Sequence, residues 1–237
     1  MRIIRVTSYD IKADVPDHPV FAFLSDLHEC DIKPVVSLID KYSPDAVLVG
    51  GDYIQNEEKY AAGFELLSYC SKLCPTFCSL GNHEMKYNGD IRKDTASTGA
   101  VLLDNDDTVF MGVRIGGLTT GFAGAKQGNL KKTPPPDTSF IENFSAKDKF
   151  KILLSHHPEY YPVYIKDKKI QLVLSGHAHG GQWRLFGRGL FAPGQGLFPK
   201  YTSGMYDGRL IVSRGLGDSH RIPRINNDHE LVILNFT

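Results

Sequence analysis

Ser175-Gly176-His177-Ala178-His179-Gly180-Gly181-Gln182 follows directly on an apolar run, Ile170-Gln171-Leu172-Val173-Leu174. The run reads as a buried strand, and the small residues after it as the turn that ends it. In extended backbone, residues i and i+2 share a face. His177 and His179 are therefore expected to point together beyond the strand's carboxyl end. Imidazole is the commonest metal-ligating side chain, and such a pair can serve one ion or two neighbouring ones. Alone, a His-x-His pair is as often incidental as functional, so its weight depends on what the chain places beside it.

The same arrangement recurs upstream. Residues 20–24 (Val-Phe-Ala-Phe-Leu) read as a central strand ending in Ser25-Asp26-Leu27-His28. Residues 46–49 end in Gly50-Gly51-Asp52, residues 76–80 in Gly81-Asn82-His83-Glu84, and residues 150–154 in Ser155-His156-His157-Pro158. Helical periodicity is read at 34–42 and 57–73, stopped by Pro44 and Pro75, and a helix is expected at 159–166. Strand–loop–helix units of this length predict an α/β fold with a mostly parallel sheet. In such sheets ligands bind beyond the carboxyl ends of the strands, where Asp26, His28, Asp52, Asn82 and His83 all fall.

The remaining stretches are less regular. Residues 3–9 alternate like an edge strand, and 101–103, 108–111 and 113–115 read as a meander of short antiparallel strands. Residues 119–136, rich in Gly, Lys and Pro, form a loop long enough for a lid or crossover. From 182 onward hairpins are expected, with 209–213 and 230–236 the clearest strands. Neither an internal repeat nor a linker is visible, so one domain over 1–237 is expected.

Composition narrows the classes. Hydrophobic residues make up 41% and charged residues 23% of the chain, the balance of a globular protein. Lys+Arg and Asp+Glu are both 27, so no net basic field favours nucleic acid or an anionic membrane. No apolar stretch is long enough to span a bilayer, which points to a cytoplasmic protein with at most peripheral membrane contact. Cys30, Cys70, Cys74 and Cys78 include no Cys-x-x-Cys pair, so buried thiols are expected rather than a zinc ribbon or redox motif.

In their order, Asp26-Leu27-His28, Gly51-Asp52, Gly81-Asn82-His83-Glu84, His156 and Gly176-His177-Ala178-His179 resemble the five-block signature of the calcineurin-like metallophosphoesterases. The likeness extends over about residues 20–215. It is similar in detail to the bacterial branch with a Gly-His-x-His-Gly-Gly-Gln block, including Pro199-Lys200-Tyr201 and Ser213 to Gly217. The resemblance implies an α/β/β/α sandwich of two mixed sheets flanked by helices, and a binuclear metal centre. It implies Asp26, His28 and His179 on one ion, Asn82, His156 and His177 on the other, and Asp52 bridging. His157 competes with His156 for its place. His83 is implied as the catalytic residue that contacts the phosphoryl oxygen and protonates the leaving group. Glu84 is expected to support the ligands.

A donor set of imidazoles, carboxylates and one carboxamide suits divalent transition ions such as Mn, Fe, Zn or Ni better than Mg or Ca. Two dications, two aspartates and a bridging hydroxide leave one positive charge to attract a phosphoryl anion. The expected activity is hydrolysis of a phosphodiester, or of a monoester or pyrophosphate, through that hydroxide. In the phosphoprotein-phosphatase branch an acidic residue and an arginine stand where this chain has Gln55 and Asn56, so a protein phosphatase is not expected. The partner is then a small-molecule or lipid-like phosphoester. The alternatives are a pyrophosphohydrolase of a UDP-diacylglucosamine-like lipid precursor, and a scaffold without turnover. Residues 185–193 with Leu197 and Phe198 can form either an apolar lip for an amphiphile or hairpin core. Lys126, Lys131 and Lys132 read as a solvated loop face, with phosphate contact as the alternative.

Overall fold

Side-chain alternation along the central strands sorts the interior into three apolar layers. In the strand Val20–Leu24, Phe21 and Phe23 pack into one cluster while Ala22 and Leu24 pack into another on the opposite face. A computed structural model describes residues 3–56, 58–121, 133–218 and 223–237. In chain order its first strands are β1 (Ile4–Ile11), β2 (Val20–Leu24), β3 (Ala46–Val49), β4 (Thr76–Cys78) and β5 (Val101–Leu102). They are followed by β6 (Asp106–Phe110), β7 (Val113–Leu118), β8 (Phe150–Ser155) and β9 (Leu172–Ser175). Two small hairpins come next, β10 (Arg184–Leu185) with β11 (Arg188–Gly189) and β12 (Phe191–Ala192) with β13 (Gly196–Leu197). The last strands are β14 (Gly204–Tyr206), β15 (Leu210–Val212) and β16 (His229–Phe236). The α-helices are α1 (Ile32–Tyr42), α2 (Ala61–Leu73), α3 (Ile91–Ser97) and α4 (Thr138–Ala146).

Two six-stranded mixed sheets result, ordered β1-β16-β2-β3-β4-β5 and β14-β15-β9-β8-β7-β6. Phe21, Phe23, Leu48 and Val232 of the first sheet meet Ile115, Ile152, Leu154 and Leu174 of the second in the middle layer. The outer face of the first sheet packs on α1 and α2 through Val35, Ile39, Leu66 and Leu67. That of the second packs on α4 through Ile141 and Phe144. This is the α/β/β/α sandwich. Each fully buried Phe or Leu contributes roughly 1.5–3 kcal/mol to it. No helix among the described residues is long and apolar enough to cross a membrane.

Several expectations need correction. The meander does not form. β5 lies parallel to β4 in the first sheet, whereas β6 and β7 form an antiparallel hairpin at the edge of the second. The chain changes sheets between residues 102 and 106, which local pattern cannot show. β16 is not in a hairpin but inserts between β1 (parallel) and β2 (antiparallel), and β15 also lies parallel to β9. The helix expected at 159–166 is reduced to one wide π-type turn, Tyr161–Ile165, around Pro162, which has no N–H to donate. α2 starts at Ala61 rather than near 57, a position outside the described residues. Residues 122–132 of the long loop, with Lys126, Lys131 and Lys132, also lie outside them. Two helices, α3 and α4, were not anticipated. α3 buries only Thr95 and so shows no apolar stripe, although Asp90 and Asp137 cap the two starts by accepting from Lys93 N and Phe140 N.

α2 also fixes the segment carrying Asp52. A Cβ placed on Gly63 would lie 1.8 Å from the Tyr53 carbonyl oxygen. Helix propensity alone makes Gly63→Ala stabilising by about 0.8–1 kcal/mol. The clash reverses the sign, and urea unfolding should show the variant destabilised by about 1–3 kcal/mol.

Candidate metal centre

Every implied ligand leaves the carboxyl end of a parallel strand, at the seam between the sheets. β2 delivers Asp26 and His28, β3 delivers Asp52, and β4 delivers Asn82 and His83. β8 and β9 of the other sheet deliver His156, His177 and His179. The backbone there is not extended. Asp26 (φ 49°), His28 (φ 48°), Asp52 (φ 53°), His177 (φ 64°) and His179 (φ 45°) are all left-handed. The backbone at these motifs is thus not the extended one expected; Asp26 and His28 still converge on one cluster, but tight turns aim the side chains separately. His177 and His179 accordingly enter different clusters. Such conformations are costly for residues with a Cβ and persist where the surroundings enforce them.

The glycines of the motifs seat against the carboxylates. A Cβ on Gly176 would fall 2.3 Å from Asp26 Oδ2, and one on Gly81 would fall 2.3 Å from Asp52 Oδ1. His177 N donates to Asp26 Oδ1 at 2.9 Å, and His83 N donates to Asp52 Oδ1 at 2.8 Å. Glu84 is buried and accepts three backbone N–H bonds, from Asp52 (2.8 Å), Ile54 (3.1 Å) and Gly81 (2.7 Å). It thus ties the β3 loop to the β4 loop.

One group collects Asp26, His28 and His179, with His28 Nε2 3.3 Å from His179 Nε2 and the latter 3.5 Å from Asp26 Oδ1. A second collects Asp52, His156 and His177. Asp52 also belongs to a third set with His28 and His83, so it stands between the groups. His156 Nδ1 donates to the Gly50 carbonyl at 2.8 Å, which turns the Nε2 lone pair of the neutral ring toward Asp52 Oδ2, 3.1 Å away. Two lone-pair-bearing atoms at that distance repel unless a cation or proton lies between them. Burial opposes a proton on His156, but the Asp52 carboxylate outweighs it and raises the pKa to about 10. Asn82 Oδ1 and His28 Nδ1 are likewise buried without a hydrogen-bond partner. Burial lowers His28 to about 3 and holds His177 and His179 well below the usual histidine range, so these rings are neutral donors. The donor set fits divalent metal ions.

His157 does not face Asp52 but forms a further group with Glu159 and His177. Its Nε2 lies 2.7 Å from Thr120 Oγ1 and its Nδ1 3.5 Å from Glu159 Oε1. His156 is the one that faces Asp52. His83 is half-buried, with Nε2 3.9 Å from Asp52 Oδ2 and Nδ1 bonded to the Gln55 carbonyl. The partner of His83 Nδ1 is thus a main-chain carbonyl. Two contributors escaped the sequence reading. Glu159 Oε1 comes within 4.0 Å of His177 Nε2, and Arg224 Nη2 lies 3.2 Å from His179 Nδ1. Glu159 directly follows the His-His-Pro turn, which is a usable signal, whereas nothing local marks Arg224.

The family model of calcineurin-like phosphoesterases matches residues 19–181. The chain belongs to that family. It is a metal-dependent phosphoric ester hydrolase, and the family and clusters together point to divalent metal ions. It is similar to the phosphodiesterase YaeI of Escherichia coli, 29% identical over 90% of this chain and 80% of that protein. It is also similar to the uncharacterized metallophosphoesterase Cj0846 of Campylobacter jejuni, 33% identical over 88% of this chain but only 55% of that protein. Among solved structures, the phosphopantetheinyl hydrolase PptH of Mycobacterium tuberculosis is similar at a TM-score of 0.48 and 15% identity, over 84% of this chain and 89% of that one.

Glu84→Gln replaces an oxygen that accepts from backbone N–H with a donor. The variant should lose about 1–3 kcal/mol of stability by chemical denaturation, because at least one buried N–H then has no acceptor.

Proposed function

We propose that the chain, acting as one domain, hydrolyses a phosphodiester with two divalent transition ions, manganese among the candidates. The carrying observation is the Asp52–His156 contact, where an imidazole nitrogen meets a carboxylate oxygen at 3.1 Å, close enough to need a cation or a proton between them, beside the neutral rings of His28, His177 and His179. Asp26, His28 and His179 would hold one ion, Asn82, His156 and His177 the other, with Asp52 serving both. When bound, such ions supply Lewis acidity and a water acidic enough to attack phosphorus near neutral pH.

The chain's own residues do the rest. The Gln55 carbonyl keeps His83 Nδ1 protonated, so the proton that His83 gives a leaving oxygen sits on Nε2, on the Asp52 side. Glu84 keeps the Asp52 and Gly81 backbones in register, and the Gly50 carbonyl fixes which nitrogen His156 presents. A diester is supported by the single residual positive charge, by Gln55 and Asn56 in place of an acid and an arginine, and by the name of the similar Escherichia coli protein. A pyrophosphate-linked lipid precursor such as UDP-diacylglucosamine is the second reading, favoured by the exposed Phe186, Leu197 and Phe198 on the hairpins beside the metal loop. A reducing, cytoplasmic setting suits the absence of any disulfide among the described residues.

The test is hydrolysis of bis-p-nitrophenyl phosphate by metal-stripped protein after adding back Mn, Zn, Fe, Ni or Mg. Turnover should return with a transition ion and fall about 10²–10⁴-fold in His83→Ala with metal content unchanged. No turnover with any ion, despite two bound per chain, would reject the reading. Chelation itself should lower Tm by about 5–10 °C, because an ion held at a hundred times its Kd stabilises by about 2.7 kcal/mol.

A further inference from the structure

The hairpins β10–β11 and β12–β13 carry large apolar side chains that the core does not use. Phe186 is 105% exposed, Phe198 78% and Leu197 75%, and Trp183, Leu185 and Ile225 are exposed as well. Two-residue strands have little stability of their own, so these hairpins depend on what anchors them. The anchors lie on the inner side. Leu190 N donates to the Gly181 and Trp183 carbonyls at 3.1 and 2.9 Å, Arg184 Nη1 donates to the Gly180 carbonyl at 2.7 Å, and Ala192 is buried. Phe198 N donates to the Leu190 carbonyl at 2.9 Å, which joins the second hairpin to the first. The anchors are main-chain groups, Arg184 and Trp183, whose Nε1 donates to the Pro223 carbonyl at 2.9 Å, rather than the Phe186 and Phe198 side chains.

Along the chain, the stretch that carries them has charges of one sign. Between Ile170 and Tyr206 the chain carries Arg184, Arg188 and Lys200 and not one Asp or Glu. Arg184 is occupied by the Gly180 and Gly187 carbonyls, whereas Arg188 and Lys200 are exposed. We propose that this face docks on an anionic lipid bilayer, with Phe186, Leu197 and Phe198 entering the interface and Arg188 and Lys200 meeting headgroup phosphates. Apolar tips flanked by cations match such a surface, since each supplies attraction that the other lacks. A second copy of the same face is a poorer occupant, because a twofold contact would pair like charges, and Asp207, the carboxylate nearest Lys200 in sequence, is already held by Lys166 at 3.2 Å. The hairpins are fastened to the loop bearing His177 and His179, so docking would bring the metal centre to the membrane surface and present it with amphiphilic phosphoesters. That last consequence rests on the function proposed above. The docking does not.

The experiment is flotation of the purified chain with vesicles of phosphatidylcholine alone or of equimolar phosphatidylcholine and phosphatidylglycerol. The chain should float with the mixed vesicles, more weakly as salt rises, and not with phosphatidylcholine alone. Phe186→Ser with Phe198→Ser should weaken binding at least about tenfold, and Arg188→Gln with Lys200→Gln roughly fivefold per cation. Near-ultraviolet circular dichroism and hydrolysis of the soluble bis-p-nitrophenyl phosphate should stay at wild-type level in all variants, which separates failure of docking from failure of the phosphoesterase reading. Absence of binding to mixed vesicles, or binding unchanged by the paired Phe substitutions, would overturn the proposal. So would a concentration-dependent dimer that those substitutions abolish while vesicles are ignored.

Discussion

The structure depends on one electrostatic constraint, the crowding of lone-pair-bearing atoms at the seam between two sheets. Asp52 comes from the first sheet and His156 from the second, and they meet at 3.1 Å, a contact that needs a cation or a proton between the two atoms. Around them sit further neutral imidazoles and a second buried carboxylate, Asp26. Without a cation such a cluster is costly, because buried polar atoms lose water and gain no partner in return. With cations, the same atoms become a donor set.

The rest of the architecture can be understood as holding those atoms where they would otherwise not stay. The middle apolar layer sets the spacing of the two sheets, and hence the distance between Asp52 and His156. Left-handed turns at Asp26, His28, Asp52, His177 and His179 cost conformational energy, and the glycines that press on both aspartates leave room for it. Both carboxylate oxygens of Glu84 accept from backbone N–H groups. Rigidity at this seam is what makes neutral imidazoles face carboxylates without swinging away.

Much of this was legible in residue order. Short apolar runs ending in Asp, His or Asn are strong signals, because a buried strand and a polar strand end are both local properties. Hence β2, β3, β4, β8 and β9 were located closely, and so were the eight residues now seen at the seam. α3 and α4 were missed because short helices lying on the surface lack a full apolar stripe. Arg224 was missed because it reaches His179 from 45 residues away in sequence.

By itself the sequence determined the α/β class, the strand ends that carry chemistry, and the family. Those follow from side-chain type and spacing along one segment. Tertiary structure alone decided that β5 and β6 part into different sheets, and that β16 slots between β1 and β2. It also decided that His156 rather than His157 faces Asp52, and that a Gln55 carbonyl holds His83. Each of these depends on what another segment brings close, and a contact between distant segments leaves no periodicity in either one.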